Sequence, residues 1–236
     1  MKTLLLRLEG PMQSWGTTSR FTERDTGLEP SKSGVIGLLC AAMGKPRLER
    51  PEDGDFWPRL SRLAGLRMGV RVDCPGKVGV DFQTAGGGKL GHREYGVAKA
   101  DRSKGESVMS WRYYLQDASF LVGLESKDHE LLEVLHAALK APVWPIFLGR
   151  KSYVPGTPVY LPEGLQDGDL LTVFARYPLS VAADGETVER VRVILDHPNP
   201  QGGEVRADVP LDFARRRFGL RHVRADTVAA PGCTVN

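Results

Sequence analysis

The segment PSKSGVIGLLCAAMG, residues 30–44, constrains the fold more than any other part of the chain. Residues 31–33 can cap a helix that continues through GVIGLLCAAMG and stops at Gly44, with Pro46 beyond. This helix is apolar nearly all round, so it has no face to offer water and must be buried. It therefore needs a sheet to pack on. Residues 3–9 read as the first strand of that sheet, with Leu4, Leu6 and Leu8 on one face and Leu5, Arg7 and Glu9 on the other. A strand that starts at residue 3 suits a central position, and Gly10-Pro11 is a breaker after it.

The rest of the N-terminal part alternates in kind. Residues 55–63 read as a second helix, with Phe56, Leu60 and Leu63 as its apolar stripe. Residues 66–73 and 77–83 read as two strands joined through Pro75-Gly76, a hairpin signal. WRYYLQDASFLVGLES, residues 111–126, reads as strand, turn, strand; residues 128–139 form an amphipathic helix, and residues 145–149 a short strand. The order strand, helix, strand, strand, helix, strand predicts an α+β chain with a ferredoxin-like (RRM-like) domain over residues 1–150. Residues 85–110 interrupt it with six glycines and five Lys or Arg, a long basic insertion of a kind that is usually functional or disordered. After Arg150, prolines punctuate short β-like runs such as LLTVFARY and ERVRVIL, which predicts a smaller β-rich region over residues 151–236.

With 236 residues, 41% of them hydrophobic and 26% charged, the chain can bury a sizeable core, and disorder is not its dominant state. Its net charge of +3 does not by itself imply nucleic acid, so the placement of the charge matters more. The three cysteines, Cys40, Cys74 and Cys233, lack CxxC spacing, which argues against a disulfide framework or a zinc finger. None of the five histidines clusters with cysteine or carboxylate at metal spacing, so no metal and no cofactor is expected. No apolar run reaches membrane-spanning length, and the N-terminus carries Arg7 and Glu9, unlike a signal peptide. The expected setting is the cytoplasm, without membrane contact and without a small-molecule ligand.

Five segments carry candidate binding chemistry. In GPMQSWG, residues 10–16, the glycines would let a ligand approach the backbone, Trp15 could stack on a base and Gln13 could hydrogen-bond to one; the plainer alternative is a tight turn with Trp15 in the core. Between residues 86 and 112 there are six Lys or Arg, namely Lys89, Arg93, Lys99, Arg102, Lys104 and Arg112, against three acids, with His92 and Tyr95 as a stacking pair. The competing reading there is a solvated loop. Trp111 and Arg112 follow each other into a strand, so one packs while the other faces a ligand or a surface ion pair. GRKS sets Arg150, Lys151 and Ser152 together, a combination that suits a phosphate. FARRRFGLRHVR, residues 213–224, holds five arginines and no acid, and the apolar residues between them indicate an ordered segment rather than a loose tail.

No GxSxG, HExxH, P-loop or carboxylate constellation is present. The one catalytic set available on paper is for metal-free RNA cleavage, with His92, Tyr95 and Lys89 as base, acid and cation.

Four motifs in order, LRLEGPMQSWG, PSKSGVIGLLCAAMG, SWRYYLQDASF and PIFLGRKSYVP, resemble the CasD subunit family of type I-E CRISPR Cascade complexes, within the RAMP superfamily. The likeness spans most of residues 1–160, with a weaker echo at PLDFARRRFG. It implies an RRM-like domain with a protruding thumb, here residues 85–110, that caps the complex at the 5′ handle of the CRISPR RNA. It implies contacts with the CasC backbone subunit and the CasA large subunit. It also implies a non-catalytic role, because a different subunit, CasE, cuts the precursor RNA in these systems. A related type I-C subunit does cut RNA, so a metal-independent endoribonuclease is the alternative. Carried over by motif, Arg112 would insert near bases of the handle. Gln13, Trp15 and Arg20, with Lys32 and Ser33 at the helix start, would face the handle. Arg215, Arg216 and Arg217 rest on charge alone, since little of the C-terminal region aligns.

Overall fold

The computed structural model describes residues 1–19, 22–51, 56–87, 89–90, 93–94, 96–98, 103–105, 107–180 and 189–231. The chain begins with β1 (Lys2–Gln13), which runs on through Gly10-Pro11, and continues with the two-residue strand β2 (Glu23–Arg24). α1 (Lys32–Met43) starts where the Ser31 hydroxyl accepts the Gly34 amide at 3.3 Å, and it ends at Gly44 with φ +68°. α2 (Leu60–Ala64) is shorter than the expected 55–63 helix. Pro58 disfavours helical backbone at Trp57, Arg59 is extended at the cap, and Phe56 lies exposed outside the helix.

β3 (Arg67–Cys74) and β4 (Lys77–Ala85) follow, then four two-residue strands: β5 (Lys89–Leu90) pairs with β6 (Arg93–Glu94), and β7 (Val97–Ala98) with β8 (Lys104–Gly105). β9 (Val108–Ser126) is a single strand of 19 residues, not strand, turn, strand. α3 (His129–Lys140) is capped by the Asp128 carboxylate on the Leu131 amide at 3.1 Å. Residues 145–149 form no strand; the next one is β10 (Tyr160–Asp167). LLTVFARY is a helix, α4 (Leu170–Arg176), set by Asp169 accepting from the Thr172 amide at 2.9 Å. β11 (Arg190–His197), β12 (Glu204–Asp212) and β13 (Arg217–Ala229) are the last elements among the described residues.

The result is an α+β fold built on one large sheet in the order β10-β1-β9-β3-β11-β13-β12. All its pairings are antiparallel except the short β2–β9 contact. Pro75-Gly76 does not make a hairpin. β3 and β4 run one after the other along the same edge of β9, to residues 119–125 and 108–116 respectively. Gly76 has φ +68°, and a Cβ there would lie 2.4 Å from the Gln116 carbonyl oxygen. Opposite it, Asp117 has φ +53°, so both strands kink at the same level. Beyond the kink, β4 and the first half of β9 run on past the other long strands as a ribbon, with the short β2 on the far edge of β9 at Trp111 and Arg112.

Both faces of the sheet are covered. Leu4, Leu6 and Leu8 meet Val35, Ile36 and Leu39 of α1 and Leu131, Leu132 and Leu135 of α3 on one side. On the other, Leu5 and Leu121 meet Leu170, Val173 and Phe174 of α4. α4 sits close because Gly69 and Gly123, paired across β3 and β9, leave room for Leu170 and Phe174. An ionic lock holds the end of this helix. Arg71, fully buried, donates to Asp73 and to the carbonyls of Phe174, Tyr177 and Pro178, while Arg7 also donates to Asp73.

Candidate nucleic-acid interface

At the end of the sheet where β2 lies beside β9, three loops press together backbone to backbone. The Ser14 amide donates to the Leu148 carbonyl at 3.0 Å, and the Trp15 amide to Thr26 Oγ1 at 3.1 Å. A Cβ on Gly16 would lie 2.3 Å from Asp25, and one on Gly149 (φ +95°) would lie 1.8 Å from the Ser14 carbonyl oxygen. The glycines of GPMQSWG and GRKS thus admit neighbouring protein backbone rather than a ligand.

The structure sorts the predicted residues by what already occupies them. Gln13 is fully buried; its amide donates to the Leu8 and Ala118 carbonyls and accepts from the Trp15 indole at 3.1 Å. Its hydrogen-bonding groups are thus engaged inside the protein, and Trp15 is itself buried, with its ring against Gly34. Lys32 is also buried. Its ammonium bonds Asp196 at 2.9 Å and its amide donates to Asp208 at 2.8 Å, so carboxylates of the protein already occupy the start of α1, which the resemblance turns toward the handle. Ser33 is half-buried.

A different set comes together at the surface. Arg112 on β9 pairs in register with Arg24 on β2. Arg150 reaches back to them, donating to the Arg24 and Asp25 carbonyls at 3.0 and 3.4 Å and to the Tyr153 hydroxyl at 2.8 Å. Lys151 and Ser152 are exposed beside it. Among the described residues, no carboxylate lies within ion-pair distance of Arg24, Arg112, Arg150 or Lys151. The neighbouring Asp25 is engaged otherwise: burial pushes its carboxyl up, but hydrogen bonds from Ser19 and Thr18 outweigh this and hold it below its ordinary value. Arg24 was not singled out from the sequence, and nothing local marks it. Only its pairing with β9 brings it to Arg112.

Trp111 and Arg112 point to opposite faces of β9, as strand geometry requires. Trp111 is 40% exposed and meets Phe82 edge-on, with ring centroids 5.3 Å apart. Arg112 is half-buried and donates to the Ser110 hydroxyl at 3.1 Å. Arg215, Arg216 and Arg217 form the exposed tip of the β12–β13 hairpin, where Arg215 pairs with Asp212 at 3.0 Å and Arg216 has φ +53°. Arg221, four residues on, is buried between Asp196 and Asp208. Arg20, His92 and Tyr95 lie outside the described residues; Lys89 and Arg93 stand opposite each other's neighbours on the β5–β6 pair.

The Lys32–Asp196–Arg221–Asp208 network ties α1 to β11, β12 and β13, and it gives the protein an acid limit. Burial pushes the Asp208 carboxyl up, but Arg221 outweighs it, so the folded value lies below the ordinary one. The stabilisation is therefore complete above the unfolded carboxylate value of about 3.9 and is lost as pH falls through the folded one. Melting temperature should stay level from about pH 7 to about pH 5 and drop below about pH 4, less steeply in Asp208→Asn. A melting temperature unchanged between about pH 5 and pH 3 would contradict this.

The fold and this surface define an α+β protein with one large antiparallel sheet and, at one end, a cluster of cations that have no ion-pair partner among the described residues. Comparison with known proteins gives it a family. The family described as CRISPR-associated protein (Cas_Cas5) matches residues 3–224, and the chain belongs to that family. The CRISPR system Cascade subunit CasD of Escherichia coli K12 is 35% identical over 169 residues, 67% of this chain and 69% of that one. A solved structure described as a Cas protein is 42% identical, with TM-score 0.74 over 97% of both chains. A chain from a CRISPR RNA-guided surveillance complex is 35% identical, with TM-score 0.74 over 98% of this chain and 91% of that one.

Proposed function

We propose that this chain is a non-catalytic, RNA-binding subunit of a type I-E CRISPR Cascade surveillance complex that holds the 5′ handle of the CRISPR RNA. One observation carries the reading. Arg24, Arg112, Arg150 and Lys151 gather at one end of the sheet without carboxylate partners among the described residues, whereas Lys32, Arg71 and Arg221 are ion-paired inside the protein. Paired cations hold a fold together; unpaired ones are available to phosphates. Arg150 is held by the loop carbonyls, so little side-chain freedom is lost when it meets RNA. The family membership and the likeness to the Cascade subunit CasD support the same reading.

The architecture is consistent with it. A ferredoxin-like (RRM-like) domain over residues 1–150 would supply β1, β9 and β3, with α1 and α3 on one face, and β10, from residues 151–236, would stand as its fourth strand beside β1. The segment between β4 and β9, within residues 85–110, would be its thumb, and residues 151–236 a further region whose strands extend the same sheet. The partners are the CasC backbone subunit and the CasA large subunit, and the setting is the cytoplasm. No helix among the described residues is long and apolar enough to cross a membrane.

Arg112→Ala tests the site. The variant should bind handle RNA about tenfold to a hundredfold more weakly while its melting temperature stays that of the wild type. An unchanged Kd, read by fluorescence anisotropy at fixed salt, would remove the β2–β9 end from the interface.

A further inference from the structure

We infer that the loop of residues 16–19 holds a second phosphate site, filled in the free protein by the Asp25 carboxylate, which a phosphodiester of the RNA displaces. The inference rests on the reading of the neighbouring arginines as an RNA surface. Both oxygens of the Asp25 carboxylate are taken up by this loop. Oδ2 accepts the Thr18 amide at 3.1 Å and the Thr18 hydroxyl at 2.5 Å, and Oδ1 accepts the Ser19 hydroxyl. Gly16 allows the approach, since a Cβ there would lie 2.3 Å from Asp25 Oδ1. A backbone amide and two hydroxyls closing on one anion are the neutral donors that proteins set against nucleic-acid phosphates. Here they lie at the surface, with residues 16–19 all exposed.

What stands beside this cradle sets its role. Arg24 precedes Asp25 in the chain, Arg112 is in register with Arg24, and Arg150 donates to the Asp25 carbonyl at 3.4 Å. A carboxylate flanked by arginines ordinarily pairs with one of them. Asp25 does not: among the described residues no Lys or Arg lies within ion-pair distance of it. Neutral donors hold its charge, and the guanidinium groups beside it are left without an anion. A phosphodiester carries the same single charge on two free oxygens, so it can take the carboxylate's place. Unlike the side chain, it arrives on a strand whose other phosphates engage the arginines, and that tethering raises its local concentration. Displacement needs only a rotation of the Asp25 side chain. The backbone around it is pinned, with the Asp25 carbonyl accepting from the Ser14 hydroxyl at 3.3 Å and Thr26 Oγ1 from the Trp15 amide at 3.1 Å. Asp25 is thus a plug that excludes stray anions and yields to a chain of phosphates.

Asp25→Ala tests this with a precursor repeat RNA, read by fluorescence anisotropy. A filled site weakens the apparent affinity by the fraction of time it stands vacant. The variant should therefore bind about fivefold to tenfold more tightly than wild type, with a log–log salt slope steeper by roughly 0.7. Adding Thr18→Val and Ser19→Ala should remove that gain. Inorganic phosphate gives a readout apart from RNA: titrated into Asp25→Ala at constant ionic strength, it should shift the Thr18 amide resonance saturably, and in wild type it should not. In the wild-type complex with RNA, the Asp25 carboxyl carbon resonance should move, a measurement that does not depend on the variant folding. Unchanged or weaker binding by Asp25→Ala would overturn the inference and make Asp25 a brace for the loop. So would a gain that survives loss of both hydroxyls, a Thr18 amide indifferent to phosphate in the variant, or an Asp25 carboxyl resonance unmoved by RNA. Failure of the wild type to bind RNA would instead count against the parent reading, while the phosphate titration still judges the cradle.

Discussion

Asp73→Asn is expected to destabilise the protein by about 3–5 kcal/mol, the cost of leaving buried charge without its partner. The Asp73 side chain is fully buried and receives both Arg7 and Arg71, which are themselves 8% and 0% exposed at the side chain. Removing the carboxylate charge strands two guanidinium groups where water cannot replace it. Arg71 would then bind the Phe174, Tyr177 and Pro178 carbonyls with its charge unbalanced, loosening the end of α4 and the chain that follows. For a chain of this length the loss corresponds to a melting temperature lower by roughly 6–20 °C. Circular dichroism melts check it, and a change of less than about 2 °C would show that the lock is dispensable. RNA affinity measured well below the transition should be unaffected, because neither arginine belongs to the proposed interface.

Replacing Arg215, Arg216 and Arg217 together by alanine is expected to change binding rather than folding. The three sit at an exposed hairpin tip, and Arg216 and Arg217 have no carboxylate partner among the described residues. Each cation set against a single-stranded phosphate steepens the log–log salt dependence by roughly 0.7. Two or three lost contacts should therefore flatten the slope by about 1.4–2.1, equivalent to about 25- to 125-fold in affinity at 0.1 M salt. Arg215 contributes least, since its bond to Asp212 must first be broken. Sequence preference should stay as it is, because phosphate contacts do not read bases. An unchanged slope would mean that the tip faces solvent or protein.

The elements legible in the sequence were those whose signals are local. α1 and α3 begin and end where Ser31, Gly44 and Asp128 satisfy helix termini within a few residues. α4 reads as β-like because its seven residues hold five apolar ones, with Thr172, Val173 and Phe174 among them, and so short a run fits either period; the Asp169 cap is the cue that decides it. Pairing partners were less accessible. Pro75-Gly76 looks like a hairpin until β9 is seen to take β3 and β4 on one edge, a choice made by residues about forty positions away. The same holds for the site. Arg217 and Arg221 are alike in sequence, yet one is at an exposed tip and the other is sealed between two aspartates. Lys32 looked free and is bonded to Asp196, while Arg24 drew no attention and stands beside Arg112. What separates a structural from an available cation is its carboxylate partner, and that partner lies elsewhere in the chain.

The central claim is that the chain binds the guide RNA and does not cut it. Incubating the purified full-length chain with a precursor repeat RNA in EDTA, and running native and denaturing gels side by side, tests both halves at once. The account predicts a salt-sensitive complex on the native gel and RNA of full length on the denaturing one. The absence of a complex at low salt, or a product cut at one repeat position and lost in His92→Ala, would contradict it.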